Sequence, residues 1–252
     1  MSFEPVDWHT IHSRPLISVP DCWKGCGGFC CSNSHPDFRF RLLPNGGQGT
    51  IVVYLDDEYA WLKANGHRIC GEDEGKEIQP MIFDFGGPRP IMLRHVPCRH
   101  LGRCNELFTK PLLCRTYPFV PVIGVDGAIE EVVPAAILDA TFELKEGLSL
   151  CPLNDAPGPT LIREALAGDD ALAQALRHPL IVLHTQGIKA FWDSYREKLL
   201  AWDGFGNLSG QAFWQAWELA YLGRRLVDRD KVAAHLRHVH GALVARHGDY
   251  LG

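Results

Sequence analysis

The sequence predicts an α+β protein in two parts, a cysteine-rich part of short β-hairpins followed by a C-terminal helical bundle. Three observations point there. All nine cysteines of the 252-residue chain lie between Cys22 and Cys151, and none follows. Short β-type runs separated by glycine, asparagine and aspartate fill much of the cysteine-bearing stretch. After it, apolar residues recur at three- and four-residue spacing, the period of helices with one buried face. The turn-rich run Asn154-Asp155-Ala156-Pro157-Gly158-Pro159 marks the seam. The predicted domains are residues 1–153, cysteine-rich, and 159–252, helical and packed on the first.

Taken in order, Phe38 to Leu43 and Thr50 to Leu55 flank Pro44 to Gly49 and read as a hairpin. Asp56 to Asn65 reads as a helix ended by Gly66. Pro80 to Phe85 and Pro90 to Val96 flank Gly86-Gly87-Pro88-Arg89 as a second hairpin. Val120 to Val125 and Ala128 to Val133 flank Asp126-Gly127, the strongest short turn signal in the chain. In the second part, helices are predicted over Leu161 to Leu176, Leu180 to Trp202, Gly210 to Val227 and Arg229 to Arg246. Ser209 and Asp228 stand where N-caps of the last two belong. Helices joined by short loops predict a small bundle.

Charge narrows the function. With 25 Lys and Arg against 30 Asp and Glu, the formal net charge is −5. A mildly acidic chain has no electrostatic footprint for nucleic acid or an anionic membrane. The first twenty residues carry Glu4, Asp7, Arg14 and three prolines with no apolar run, so no signal peptide is expected. No window approaches the roughly 18 apolar residues of a membrane helix. The expected location is the cytoplasm. Thiols stay reduced there, and crowded cysteines read as metal-binding or catalytic rather than as disulfides.

The crowding is local. Cys22, Cys26, Cys30 and Cys31 fall within ten residues, interleaved with Gly25, Gly27 and Gly28. Cys98, Cys104, Cys114 and Cys151 follow, with Cys70 alone between the groups. Thiolates are soft ligands for zinc, copper(I) and iron–sulfur clusters. Glycines let the chain wrap tightly around a metal, and their amides can donate to cluster sulfurs. Zinc sites commonly pair cysteines across two-residue gaps, and none occurs here. Adjacent Cys30 and Cys31 point in different directions and suit two metal atoms better than one. A multi-iron cluster or two neighbouring sites explains the pair most simply, and zinc remains open.

The run Cys22, Cys26, Cys30-Cys31, then Cys98, Cys104, Lys110-Pro111, Cys114-Arg115 and Tyr117-Pro118-Phe119 resembles the YkgJ-type cysteine-cluster family, described as zinc- or iron-chelating. The resemblance spans roughly residues 20–151. It implies eight metal ligands, Cys22, Cys26, Cys30, Cys31, Cys98, Cys104, Cys114 and Cys151, and leaves Cys70 over. The implied cofactor is an iron–sulfur cluster, 4Fe–4S foremost, or zinc, which would nucleate the first part. The related flagellin lysine-N-methylases share the cysteine pattern. They suggest an alternative: metal- and S-adenosylmethionine-dependent methyl transfer to a protein or peptide partner.

Other residues read more plainly. His95 and His100 flank Cys98, as neighbours or as ligands. Arg115 either offsets thiolate charge or lies on the surface. His235, His238 and His240 read as a polar helix surface, with His240 turned away from the other two. Asp56, Asp57 and Glu58 read as helix-start charges. Phe191, Trp192, Tyr195, Trp202, Phe213, Trp214, Trp217 and Tyr221 are expected to pack.

Overall fold

The computed structural model describes residues 5–13, 24, 37–43, 51–69, 78–84, 90–98, 109–147 and 158–248. The fold is mixed helix and short antiparallel sheet, the predicted α+β class. Strands β1 (Ile51–Leu55), β2 (Met81–Phe83) and β3 (Ile91–Pro97) pair in the order β1-β3-β2. Central β3 sets His95 opposite Val53 and Leu93 opposite Leu55 on one side, and Ile91 opposite Phe83 on the other. The period of two splits the side chains between two cores. Val53, Leu55, Ile91 and Leu93 face one, while Val52, Tyr54 and Val96 face the other.

The predicted β2–β3 hairpin is present, although residues 85–89 of its turn lie outside the described residues. The predicted pairing of 38–43 with 50–55 is not. β1 pairs with β3 instead, and residues 37–43 hold no strand. The cause is a competing destination for the apolar residues of that run. Phe40 and Leu43 are buried in an aromatic core of the helical part. There the Glu218 carboxylate accepts the backbone N–H groups of Leu42 and Leu43 at 2.6 and 2.8 Å, satisfying donors that a partner strand would have taken. The loop expected at 44–49 lies outside the described residues.

A short helix absent from the sequence reading, α1 (Trp8–Ser13), buries Trp8 and Ile11. Helix α2 (Asp56–Ala64) follows β1 directly and ends as predicted. Gly66 takes φ +69°, its N–H reaches Lys63 O at 3.1 Å, and His67 N–H reaches Leu62 O at 3.0 Å. That paired arrangement satisfies the last carbonyls and requires a left-handed residue, which glycine supplies without strain. Arg94 of β3 lies 4.1 Å from the centre of the Tyr59 ring and bonds Asp56 at 2.7 Å, tying α2 to the sheet.

Strands β4 (Phe119–Ile123) and β5 (Ile129–Pro134) form the third predicted hairpin. Gly127 takes φ +85°, and Asp126 accepts the Ala128 N–H at 2.9 Å. Every residue of β4 is buried. Helix α3 (Ile137–Glu146), also unforeseen, follows β5 and buries Leu138 and Phe142.

The predicted helix over 161–176 is two helices, α4 (Gly158–Ala167) and α5 (Asp170–Leu176). Gly168 interrupts the run, and Asp169 caps a new start by accepting the Leu172 N–H at 3.0 Å. Gly158 and Pro159 of the predicted seam already belong to α4, whereas residues 154–157 lie outside the described residues. Helix α6 (Pro179–Ala201) runs 23 residues with Pro179 at its first turn. Short α7 (Asp203–Asn207), α8 (Gly210–Leu222) and α9 (Arg229–His247) complete the chain. Asp228 caps α9 as expected, accepting the Lys231 N–H at 3.1 Å, while the Ser209 side chain makes no cap bond to α8.

One continuous core joins the two halves. Trp8, Val53, Leu55, Leu93 and Phe119 pack with Ile162, Leu172, Leu176, Ile181 and Leu243. Helix α6 is bonded to the end of β4, with Thr185 accepting the Ile123 N–H at 3.2 Å and Gln186 donating to Ile123 O at 3.0 Å. The eight aromatics singled out in the helices all pack in or against the second core, around Phe213, Trp214 and Trp217. Among the described residues, no helix is long and apolar enough to cross a membrane.

Candidate metal centre

Two of the eight cysteines expected to bind metal, Cys98 and Cys114, are among the described residues. Cys22, Cys26, Cys30, Cys31, Cys104 and Cys151 lie outside them, as do Cys70 and His100. Cys98 directly follows β3 and is 6 % exposed. Cys114 closes a short 3-10 turn, Leu112–Cys114, in which the Cys114 N–H reaches Pro111 O at 2.9 Å. Both border one apolar cluster: Cys98 belongs to the buried group of Val52, Tyr54, Tyr59, Leu62, Ile69 and Val96, and Cys114 packs against it. A parallel bridge joins Ile69 of that cluster to Thr109, on the segment that leads to Cys114.

Two sulfurs on one apolar cluster are a donor set suited to a soft metal and unsuited to a hard cation. They do not complete a site, and among the described residues no group of three or more His, Cys, Asp or Glu side chains is arranged to hold an ion. Arg115, next to Cys114, is 4 % exposed, which excludes the surface reading of this residue. Burial pushes its guanidinium pKa down, opposed by the nearby Glu58 carboxylate. The guanidinium thus places positive charge next to Cys114 in a region that water screens poorly.

Arg115 is held by groups that the sequence reading missed. Its Nη2 lies 2.9 Å from His12 Nδ1. A guanidinium only donates, so Nδ1 accepts and the ring proton sits on Nε2. His12 Nε2 lies 3.1 Å from Glu58 Oε1 but out of line for a full hydrogen bond, so the contact is chiefly electrostatic. The same Glu58 oxygen accepts the Leu112 N–H at 2.7 Å. Burial pushes the Glu58 pKa up, and its contact with His12 and the Leu112 N–H pull it down. The His12 ring stacks on Trp61 at 5.4 Å and 12°.

The three carboxylates at the start of α2 therefore divide. Asp56 takes Arg94, and Asp57 accepts the Trp8 indole N–H at 3.2 Å. Glu58 is buried within the cluster just described, so it is no ordinary helix-start charge. No local signal in the sequence distinguishes it from its two neighbours.

His95 shares the β3 face of Ile91 and Leu93, opposite the face that carries Val96 toward Cys98. It meets Phe83 at 5.9 Å and His184 of α6 at 6.5 Å between ring centres. Burial, with the neighbouring His95, pulls the His184 pKa down to about 4. On α9, His235 bonds Gln186 at 3.1 Å and His238 is exposed, while His240 turns inward and is buried.

No protein-family model, no curated protein and no solved structure matches the chain.

Proposed function

We propose that this is a metal-binding protein that holds an iron–sulfur cluster or zinc through Cys22, Cys26, Cys30, Cys31, Cys98, Cys104, Cys114 and Cys151, as in the YkgJ-type family it resembles. The observation that carries the reading is the gathering of Cys98 and Cys114, from separate segments, at one buried cluster beside a buried arginine. Crowding of Cys22, Cys26, Cys30 and Cys31 within ten residues supports it independently. Bound metal would supply cross-links that short strands lack, nucleating the first part.

The test is purification of the full chain under anaerobic conditions, followed by iron, zinc and acid-labile sulfide analysis. Brown protein with iron and sulfide in near-equal amounts is the expected result. Stoichiometric zinc without iron selects the zinc form of the same site. Protein from its native host that holds neither metal overturns the reading.

A further inference from the structure

We infer that Glu58 is a positioning residue for Cys114, clamping the chain on both sides of that sulfur. The inference rests on the reading of Cys114 as a metal ligand and adds residues that no cysteine pattern contains. On the N-terminal side, Glu58 Oε1 accepts the N–H of Leu112, the first residue of the 3-10 turn that ends in Cys114. On the C-terminal side, the same oxygen faces His12 Nε2, and His12 Nδ1 receives Nη2 of Arg115. Residues 112 and 115 thus answer to one carboxylate, directly and through one imidazole.

The clamp is stiff because none of its parts can be replaced by water. The side chains of Glu58 and His12 are each 1 % exposed. His12 cannot swing freely, since Trp61 stacks against its face and Trp8 lies 6.0 Å from it. Glu58 itself sits on α2, which Arg94 fastens to β3, the strand that leads to Cys98. One rigid element therefore references both described sulfurs. Outer groups that orient metal ligands in this manner typically hold 10- to 100-fold in metal affinity.

The test compares Glu58→Ala and Glu58→Gln with the wild-type full chain, loaded anaerobically. Glu218→Ala serves as the control, because Glu218 is a buried carboxylate that anchors two backbone N–H groups at the aromatic core, a different cluster from that of Cys98 and Cys114. Two quantities are read: the rate at which excess chelator strips the metal, and the iodoacetamide trapping of Cys114 relative to Cys98 while stripping proceeds. Glu58→Ala is expected to speed stripping about tenfold or more. Glu58→Gln, which keeps an acceptor for Leu112 but loses the charge, should fall between Glu58→Ala and wild type. Both variants should raise Cys114 alkylation relative to Cys98, whereas general loosening would chiefly expose the more deeply buried Cys98 and lower that ratio. Equal stripping in Glu58→Ala and Glu218→Ala, or an unchanged ratio in Glu58→Gln, overturns the clamp. A wild-type chain that takes up no metal overturns the metal reading instead, and the alkylation ratio still decides the clamp.

Discussion

The indole N–H of Trp217 donates to the hydroxyl of Tyr195 at 2.8 Å, deep in the aromatic core. The chain continues, because Tyr195 bonds Thr141 and Thr141 Oγ1 donates to Ile137 O at 2.7 Å. Helices α8, α6 and α3 are thereby joined by a polar thread through an apolar centre. Burial pushes the Tyr195 phenol pKa up, so the group stays a neutral donor. Tyr195→Phe keeps the ring but leaves the Trp217 N–H without an acceptor. It should cost about 1–3 kcal/mol in urea unfolding while leaving metal content unchanged. Wild-type stability in Tyr195→Phe would show that the thread contributes nothing.

Glu218 holds the 37–43 segment by accepting two backbone donors at once. Glu218→Ala should lose about 1–3 kcal/mol, since buried N–H groups are left without partners. Glu218→Gln, which keeps an acceptor oxygen, should lose less. Limited proteolysis should then cut near Leu42 and Leu43 first in the alanine variant. Cleavage starting elsewhere at the same rate as wild type would refute the anchoring role.

His178 makes acid a specific stress. Its Nδ1 accepts the Leu180 N–H at 3.1 Å, capping α6, and burial lowers its pKa from 6.5 to about 4. Between those values the unfolded chain binds a proton that the folded chain refuses. Stability is therefore fully present above about pH 6.5 and is lost as pH falls toward about 4. The slope is at most about 1.4 kcal/mol per pH unit for one proton. His178→Asn keeps a capping acceptor without titrating, so its urea midpoint should fall less steeply between pH 6.5 and 4.5. An identical pH slope in variant and wild type would remove His178 from the account.

Two glycines with open space around them separate backbone strain from packing. A Cβ added to Gly66 or Gly241 meets nothing within 4 Å. Gly66 holds φ +69°, so Gly66→Ala should destabilise by about 1–2 kcal/mol. Gly241 lies inside α9, so Gly241→Ala should stabilise by up to about 1 kcal/mol. Thermal unfolding of both variants checks the opposite signs.

Cys70 and Cys114 should respond differently to serine. Cys114→Ser is expected to abolish metal loading and leave the first part protease-sensitive, because bound metal contributes folding free energy. Cys70→Ser is expected to retain full metal content and lose roughly 1 kcal/mol if its site is buried. Metal analysis of the purified variants decides, and loss of metal on changing Cys70 alone would place it among the ligands.

Much of the local structure was legible. The turns at Asp126-Gly127 and Gly66 and the cap at Asp228 involve partners within a few residues, and each formed where its signal lies. The long helices α6 and α9 follow their apolar period nearly to the residue. Helix α3 carries the helical period in its sequence, since the buried Leu138 and Phe142 stand four apart. The break at Gly168-Asp169 was missed because apolar spacing continues across it, and only the Asp169 cap reveals the new start.

By itself, the sequence determined the class of the fold, the turns and the crowding of thiols, because each is decided by neighbours along the chain. Only the tertiary structure decided that 38–43 would not add a strand to β1, which pairs with β3 and stands at the sheet edge among the described residues. Phe40 and Leu43 are buried among the helices instead, a destination set by residues more than 90 positions away. It alone assembled Glu58, His12 and Arg115, for His12 and Arg115 lie 103 positions apart and Glu58 lies 54 from Leu112. A carboxylate at a helix start is ordinarily solvated, and nothing in its own neighbourhood distinguishes Glu58 from Asp56. Its buried role exists only because α1 and the Cys114 turn close over it and remove the water.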